Sequence, residues 1–174
     1  MSSQRTFRMV LAAMFLALAL ILPFLIGQIP EIGKALCPMH IPVFLCAFFC
    51  GPWYAAVIGF VAPLLRGAMF GMPALMPMGI GMAFELAAYG IVTGVLYKLL
   101  PKKKPYIYCS LIGAMIAGRI VWGAVRAIIA GVTHTEFGME AFIAGALTTA
   151  IPGIILHLIL IPIIVMALKK YTVD

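Results

Sequence analysis

From Phe7 to Gly27 the chain reads "FRMVLAAMFLALALILPFLIG". Roughly 20 apolar residues in a row are enough for a helix to cross the hydrocarbon core of a bilayer. A cleaved signal peptide has a shorter apolar run and a small-residue cleavage site in polar sequence. No such site follows "LALALILPFLIGQIP", so this segment is expected to stay as a helix of the mature protein. The rest of the chain has the same character. Of 174 residues, 65% are hydrophobic and 10% charged, with a mean hydropathy of +1.18. Soluble domains carry about 25% charged residues, so too little polar surface remains here to cover a water-facing globule. The expected fold class is all-α integral membrane.

Breakers divide the apolar sequence into six expected spans, at about 7–27, 41–50, 53–68, 79–99, 106–131 and 140–168. They account for residues 1–174 as a single six-helix membrane domain. Between the first two lies the polar, proline-bearing "QIPEIGKALCPMH", and "GPW" turns the second into the third. The second, "IPVFLCAFFC", is short for a full crossing unless its flanks contribute. "FGMPALMPM" holds two prolines so placed that no regular helix runs through it. "PKKKP" separates the fourth span from the fifth, and "VTHTEFGME" the fifth from the sixth.

Charge placement orients this bundle. Arg5, Arg8, Lys98, Lys102, Lys103, Lys104, Lys169 and Lys170 fall at the N-terminus, the fourth–fifth loop or the C-terminus. Six spans bring those three places to one side. Glu31, Lys34, Glu136 and Glu140 fall on the other. Lys and Arg accumulate on the cytoplasmic side, so both termini are expected there. The net charge of +7 is then mostly a topology signal that also suits anionic lipid headgroups, and no nucleic-acid partner is required. A Walker A pattern is missing, so the chain does not hydrolyse ATP itself. No internal repeat of the kind many secondary transporters carry is visible.

Arginines inside such spans are expensive, and "IGAMIAGRIVWGAVRAIIAG" holds two, Arg119 and Arg126. At about 1.5 Å per helical residue, Arg126 lies about 8 Å below the outer edge, Arg119 about 18 Å and Glu85 about 9 Å. Arg66 falls near the outer end of the third span. Spacings of i, i+3 and i+7 put Arg119, Trp122 and Arg126 on one face, and Tyr89 joins Glu85 by the i+4 rule. These residues outline an outward-opening polar pocket with more guanidinium than carboxylate charge. Unpaired cations in low dielectric need an anion, and Arg binds carboxylate or phosphate bidentately. A bound anionic solute would complete the site. The competing reading is a closed network in which Glu85 pairs with one arginine and the others snorkel outward.

Other polar residues leave alternatives open. His40 reaches the outer cavity or serves as an interfacial residue. His157, between Pro152 and Pro162, more often would satisfy a kink carbonyl. Cys37, Cys46, Cys50 and Cys109 form no CxxC pair and no metal-type cluster, and read as small apolar fillers. No metal or cofactor is called for. The Met-rich "FGMPALMPMGIGM" is flexible apolar filling, or a movable lid over the pocket.

The stretch "HIPVFLCAFFCGPWYAAVIGFVAPLLRGAMFGMPALMPMGIGMAFELAAYGIVTGVLY", with "HIPV", "GP", "GFVAPLLR", "GMP" and "FELAAYG" in that order, resembles the substrate-binding S components of energy-coupling factor (ECF) vitamin transporters. The resemblance is to the group that includes pantothenate and folate carriers. It covers nearly the whole chain, and the AxxxA pattern appears at Ala13 and Ala17. It implies a cell-membrane subunit that captures a vitamin in an outer pocket closed by loops 28–39 and 69–78. It also implies docking through Ala13 and Ala17 onto a membrane coupling subunit with two cytoplasmic ATPases, then toppling to release the cargo inside. Small side chains permit that close helix contact in lipid. The positive pocket favours an acid, pantothenate first. If Glu85 and the arginines neutralise one another, a neutral or zwitterionic solute such as vitamin B6 fits better. His40, Arg66, Glu85, Tyr89, Arg119, Trp122 and Arg126 are the candidate substrate-binding residues, and no catalytic role is expected. A membrane enzyme, an assembly protein and a stand-alone channel or carrier are the rivals. No HExxH motif and no second membrane carboxylate beside Glu85 support the first.

Overall fold

The computed structural model describes residues 2–25, 36–101, 103–134, 138–145 and 151–168. Glu31, Lys34, Lys102, Glu136, Lys169, Lys170 and most of the 28–39 loop lie outside them. Every described regular element is helical. The main helices are α1 (Ser2–Leu25), α2 (His40–Phe49), α3 (Pro52–Phe70), α4 (Ile80–Leu99), α5 (Lys104–Thr133) and α6 (Ile151–Ala167). A wide π-type turn, Leu75–Gly79, leads into α4, and a short helical turn covers Met139–Ile143. The sixth expected span, 140–168, is thus helical in two described pieces. Four helical stretches are long and apolar enough to cross a membrane: Gln4–Leu25, Pro52–Phe70, Leu75–Leu99 and Lys104–Thr133. His40–Phe49 and Ile151–Ala167 are shorter apolar helices.

Local chemistry sets the boundaries. Gly51 takes a φ of 98°, in the left-handed region that a side chain resists, and Pro52 opens α3. Gly71 closes α3 in the left-handed conformation, its N–H donating to the Gly67 carbonyl at 3.0 Å. Leu100 is extended ahead of Pro101, which stops α4.

α2 occupies the centre. Its ten residues are all buried, and it packs against α1, α3, α4 and α6. At 1.5 Å per residue it rises about 15 Å, about half the hydrocarbon thickness. Its first turn therefore begins inside the bundle. The N–H groups of His40 and Ile41 are satisfied by the Cys37 and Pro38 carbonyls, at 3.0 and 3.4 Å. Around this core Val10, Leu25, Val57, Ile120, Ile128 and Ile159 stay exposed on the outside of the bundle. Water would penalise such a surface, whereas lipid matches it.

The most extensive contact is between α3 and α4, and it is made backbone to backbone. A Cβ on Gly59 would come within 2.5 Å of the Leu86 carbonyl oxygen. One on Gly90 would lie 2.6 Å from the Ala55 carbonyl carbon, and one on Gly94 2.7 Å from Pro52 Cα. Small residues allow this approach where lipid supplies no hydrophobic drive between helices. Gly90→Val should therefore lower stability by about 1–3 kcal/mol through overpacking. Gly131→Ala meets open space and should leave stability unchanged or slightly raised. Thermal unfolding of the detergent-solubilised variants checks both.

Candidate functional site

Glu85 on α4 is 2% exposed and is the hub of the site. Arg119 Nη1 on α5 lies 3.0 Å from its Oε1. The Tyr89 hydroxyl donates to the same oxygen at 2.7 Å. His40 Nε2 stands 4.0 Å from it, within ion-pair range and beyond hydrogen-bond length. Three of the candidate residues, His40, Tyr89 and Arg119, thus converge on the carboxylate of a fourth, Glu85.

Helix packing makes this possible. Tyr89 lies one turn beyond Glu85 on the same face, and its ring presses on α5 at Gly118. A Cβ there would sit 2.2 Å from Tyr89 Cε1. Any larger residue beside Arg119 would push the ring and its hydroxyl away from Glu85. On the other side Phe44 stacks on Tyr89 with centroids 5.0 Å apart, and His40 tilts against Tyr89 at 5.4 Å.

Trp122 and Arg126 form a second group nearer the C-terminal end of α5. The Arg126 guanidinium lies 6.0 Å from the Trp122 ring centroid, and Trp122 stacks on Phe142 at 6.2 Å. Both Trp122 and Arg126 approach Gly81, where an added Cβ would meet them at 3.3–3.4 Å. Glu85 follows Gly81 by one turn, so it faces Arg119 rather than Arg126. Depth counted from Gly79 places Glu85 level with Arg126, and the structure corrects this. The helical stretch begins with the irregular Leu75–Gly79 turn, so depth counted from Gly79 starts about a turn too late.

Arg66 is also placed differently from the expected pocket. Its Nη1 donates to the Leu20 carbonyl at 2.6 Å, and its guanidinium lies 4.7 Å from the Phe24 ring and 5.4 Å from the Phe70 ring. Pro23 lies within α1, and a helical proline disturbs the hydrogen bonds of the preceding turn. The buried guanidinium finds its acceptor there, tying α1 to α3.

Two residues not counted as candidates enter the cluster. Cys37, just before α2, has its thiol within hydrogen-bonding reach of Arg119. Burial, helped by the Glu85 charge, pushes that thiol up to about 11 although Arg119 opposes the rise. His157 on α6 stacks on His40, with centroids 5.7 Å apart and planes 16° from parallel. Its ring thus faces α2, with the Phe44 ring centroid 5.8 Å away. A histidine deep in an apolar span was the available signal. Its neighbour was invisible because His40 and His157 are far apart in sequence.

Chemically, the cluster is a neutralised ion pair with a phenol and two imidazoles, and Arg126 brings a further positive charge two turns away. Arg119→Ala strands the Glu85 charge in the interior and should cost about 3–5 kcal/mol. The double variant Glu85→Gln, Arg119→Met should regain most of that loss, because no lone charge remains. Tyr89→Phe should cost about 1.5–3 kcal/mol, the range for a hydrogen bond to a charged group. Thermal unfolding of the four proteins in one detergent measures the coupling.

A family model described as ECF transporter, substrate-specific component, matches residues 7–167. No curated protein and no solved structure matches the chain. Subunits of this family bind substrate for transport and are not enzymes. The matched region takes in most of α1, all of α2–α6 and the whole Glu85 cluster, in a multi-pass arrangement of apolar helices. The chain belongs to the substrate-specific components of ECF transporters.

Proposed function

We propose that this subunit captures a small vitamin-like solute from outside the cell membrane, beside the Glu85–Arg119 pair, and hands it inward by docking and toppling on its coupling subunit. Family membership implies a small-molecule substrate and a coupling module with ATPases. The observation that carries the capture reading is the buried convergence of Glu85, Tyr89 and Arg119, with half-buried Arg126 and Trp122 nearer the outer end. An acid group of the solute is assigned to Arg126, on the same face of α5 as Arg119 and beside Trp122, which packs on the apolar part. Pantothenate is the first acid to test. The 3.0 Å Arg119–Glu85 contact specifically favours a second reading, a neutral or zwitterionic solute such as vitamin B6.

Titration calorimetry on the purified subunit separates them. For an acid, Arg126→Ala should weaken binding by roughly one to two orders of magnitude, as expected for lost hydrogen bonds of about 1.5–3 kcal/mol. Arg126→Lys should restore only part, since an ammonium lacks the bidentate fork. An amide analogue that binds as tightly as the acid would establish the neutral reading instead.

Orientation follows from the basic residues. Arg5 shares a groove with Trp53, and Lys98 Nζ would lie 3.7 Å from a Cβ at Gly51, so these charges gather at the α2–α3 end of the bundle. We assign that end, the Lys103–Lys104 segment and both termini to the cytoplasm, with six membrane-embedded helices in a single domain. A Lys103→Cys variant, with the native cysteines replaced, should resist an impermeant thiol reagent applied to intact cells. Labelling from outside would invert the assignment.

Docking is assigned to α1. Ala13 and Ala17 are exposed, and Ala13 lines a groove of about 530 Å³ with Leu16, Trp53 and Val57. Such a surface admits a close helix. Ala13→Trp and Ala17→Trp should keep solute binding and abolish uptake in cells with the full transporter. Wild-type uptake by both variants would refute the docking role.

A further inference from the structure

Buried polar atoms nearly always have hydrogen-bond partners, so each exception needs a reason. His40 and His157 are both 3% exposed. His157 Nε2 and both ring nitrogens of His40 have no hydrogen-bond partner among the described residues. Packing alone does not explain them. Phe44 already stands beside His157 and Tyr89, and a phenylalanine in place of either imidazole would fill the space without stranding polar atoms.

The tautomers follow from the neighbours. A neutral imidazole carries one N–H and one bare nitrogen. His157 Nε2, an unpartnered nitrogen, is the one placed to present a bare lone pair to a solute. In His40 the carboxylate lies 4.0 Å from Nε2, which favours the proton there and leaves Nδ1 as the bare acceptor. Arg119 and Tyr89 already occupy the donors' side of Glu85. The cluster is therefore rich in acceptors and short of donors.

We infer that His40 and His157 form an acceptor pair that reads a hydroxyl or N–H group of the captured solute. This rests on the capture reading above and adds a substrate class to it. The solute is bifunctional: a donor-bearing end meets the two imidazoles at the level of Glu85 and Arg119. Its other end reaches the level of Arg126, seven residues further along α5 and about 10 Å away. Any acid group sits at that second end.

The test uses the full chain in lipid nanodiscs, with pantothenate and pyridoxine as probes. Each is also titrated as the derivative in which its hydroxyl groups are methylated. Methylation should weaken binding of at least one probe to the wild type by about tenfold or more, the scale of one lost hydrogen bond with its acceptor left unmet. His157→Phe should weaken the parent probe similarly and remove the difference between parent and ether. His157→Gln keeps an acceptor and should bind within about threefold of wild type, while melting curves confirm that all variants are folded. Parent probes that bind His157→Phe and His40→Phe as tightly as wild type would overturn the inference and leave the capture reading standing. Methylation that weakens binding equally in wild type and His157→Phe would overturn it too. Failure of both probes to bind the wild type counts against the capture reading and this inference together.

Discussion

A carboxylate and a guanidinium 3.0 Å apart, inside a bundle whose outer surface is hydrocarbon-like, constrain everything around them. Neither charge can be left alone there. Stranding one partner of a buried pair costs several kcal/mol, whereas replacing both by apolar groups is often tolerated. A pair of this kind is weak evidence for stability and stronger evidence for selectivity, provided the remaining hydrogen-bonding capacity is put to use. Tyr89 takes part of that capacity, and the imidazoles of His40 and His157 stand beside it with acceptors to spare.

The helices that hold the pair are fixed by glycine contacts. α4 is pressed onto α3 through Gly59, Gly90 and Gly94, and onto α5 through Gly118. The first three set the α3–α4 distance, and Gly118 admits the Tyr89 ring between α4 and α5. Through this chain of contacts a backbone feature on α5 determines where a hydroxyl on α4 points. The short α2 then brings His40 to the cluster, because its first turn begins within the bundle instead of at its edge. Half a span is what places a helix start, with its polar residue, deep in the interior.

Much of this was legible in the sequence, for physical reasons. Apolar run length and proline–glycine punctuation marked the helices, and "GPW" marked the α2–α3 turn. The i+4 spacing of Glu85 and Tyr89 put them on one face. The cost of burying Arg119 singled it out. What could not be read were relations between segments. The Glu85–Arg119 pairing depends on helix register across α4 and α5, which the irregular Leu75–Gly79 turn shifted. Arg66 faced a choice between a carboxylate and a carbonyl in the disturbed turn near Pro23, and only the packing of α1 on α3 decides it. His157 lacked any local clue to His40. Residues 26–35 lie outside the described structure, so most of the expected 28–39 loop is carried only by its sequence.

On this reading the Glu85–Arg119 pair belongs to the recognition of a solute and not merely to the bundle. Reversing the pair separates those roles. In Glu85→Arg, Arg119→Glu the ion pair is retained, but Tyr89 and His40 face a guanidinium where they now face a carboxylate. Equilibrium binding of a vitamin panel to this variant and to the wild type, with melting temperature measured on the same samples, is the most direct test. A recognition role predicts a folded variant, with a melting temperature close to wild type, that has lost the solute bound by the wild type. A variant that binds the same solute with unchanged affinity would contradict that role and return the pair to a structural one.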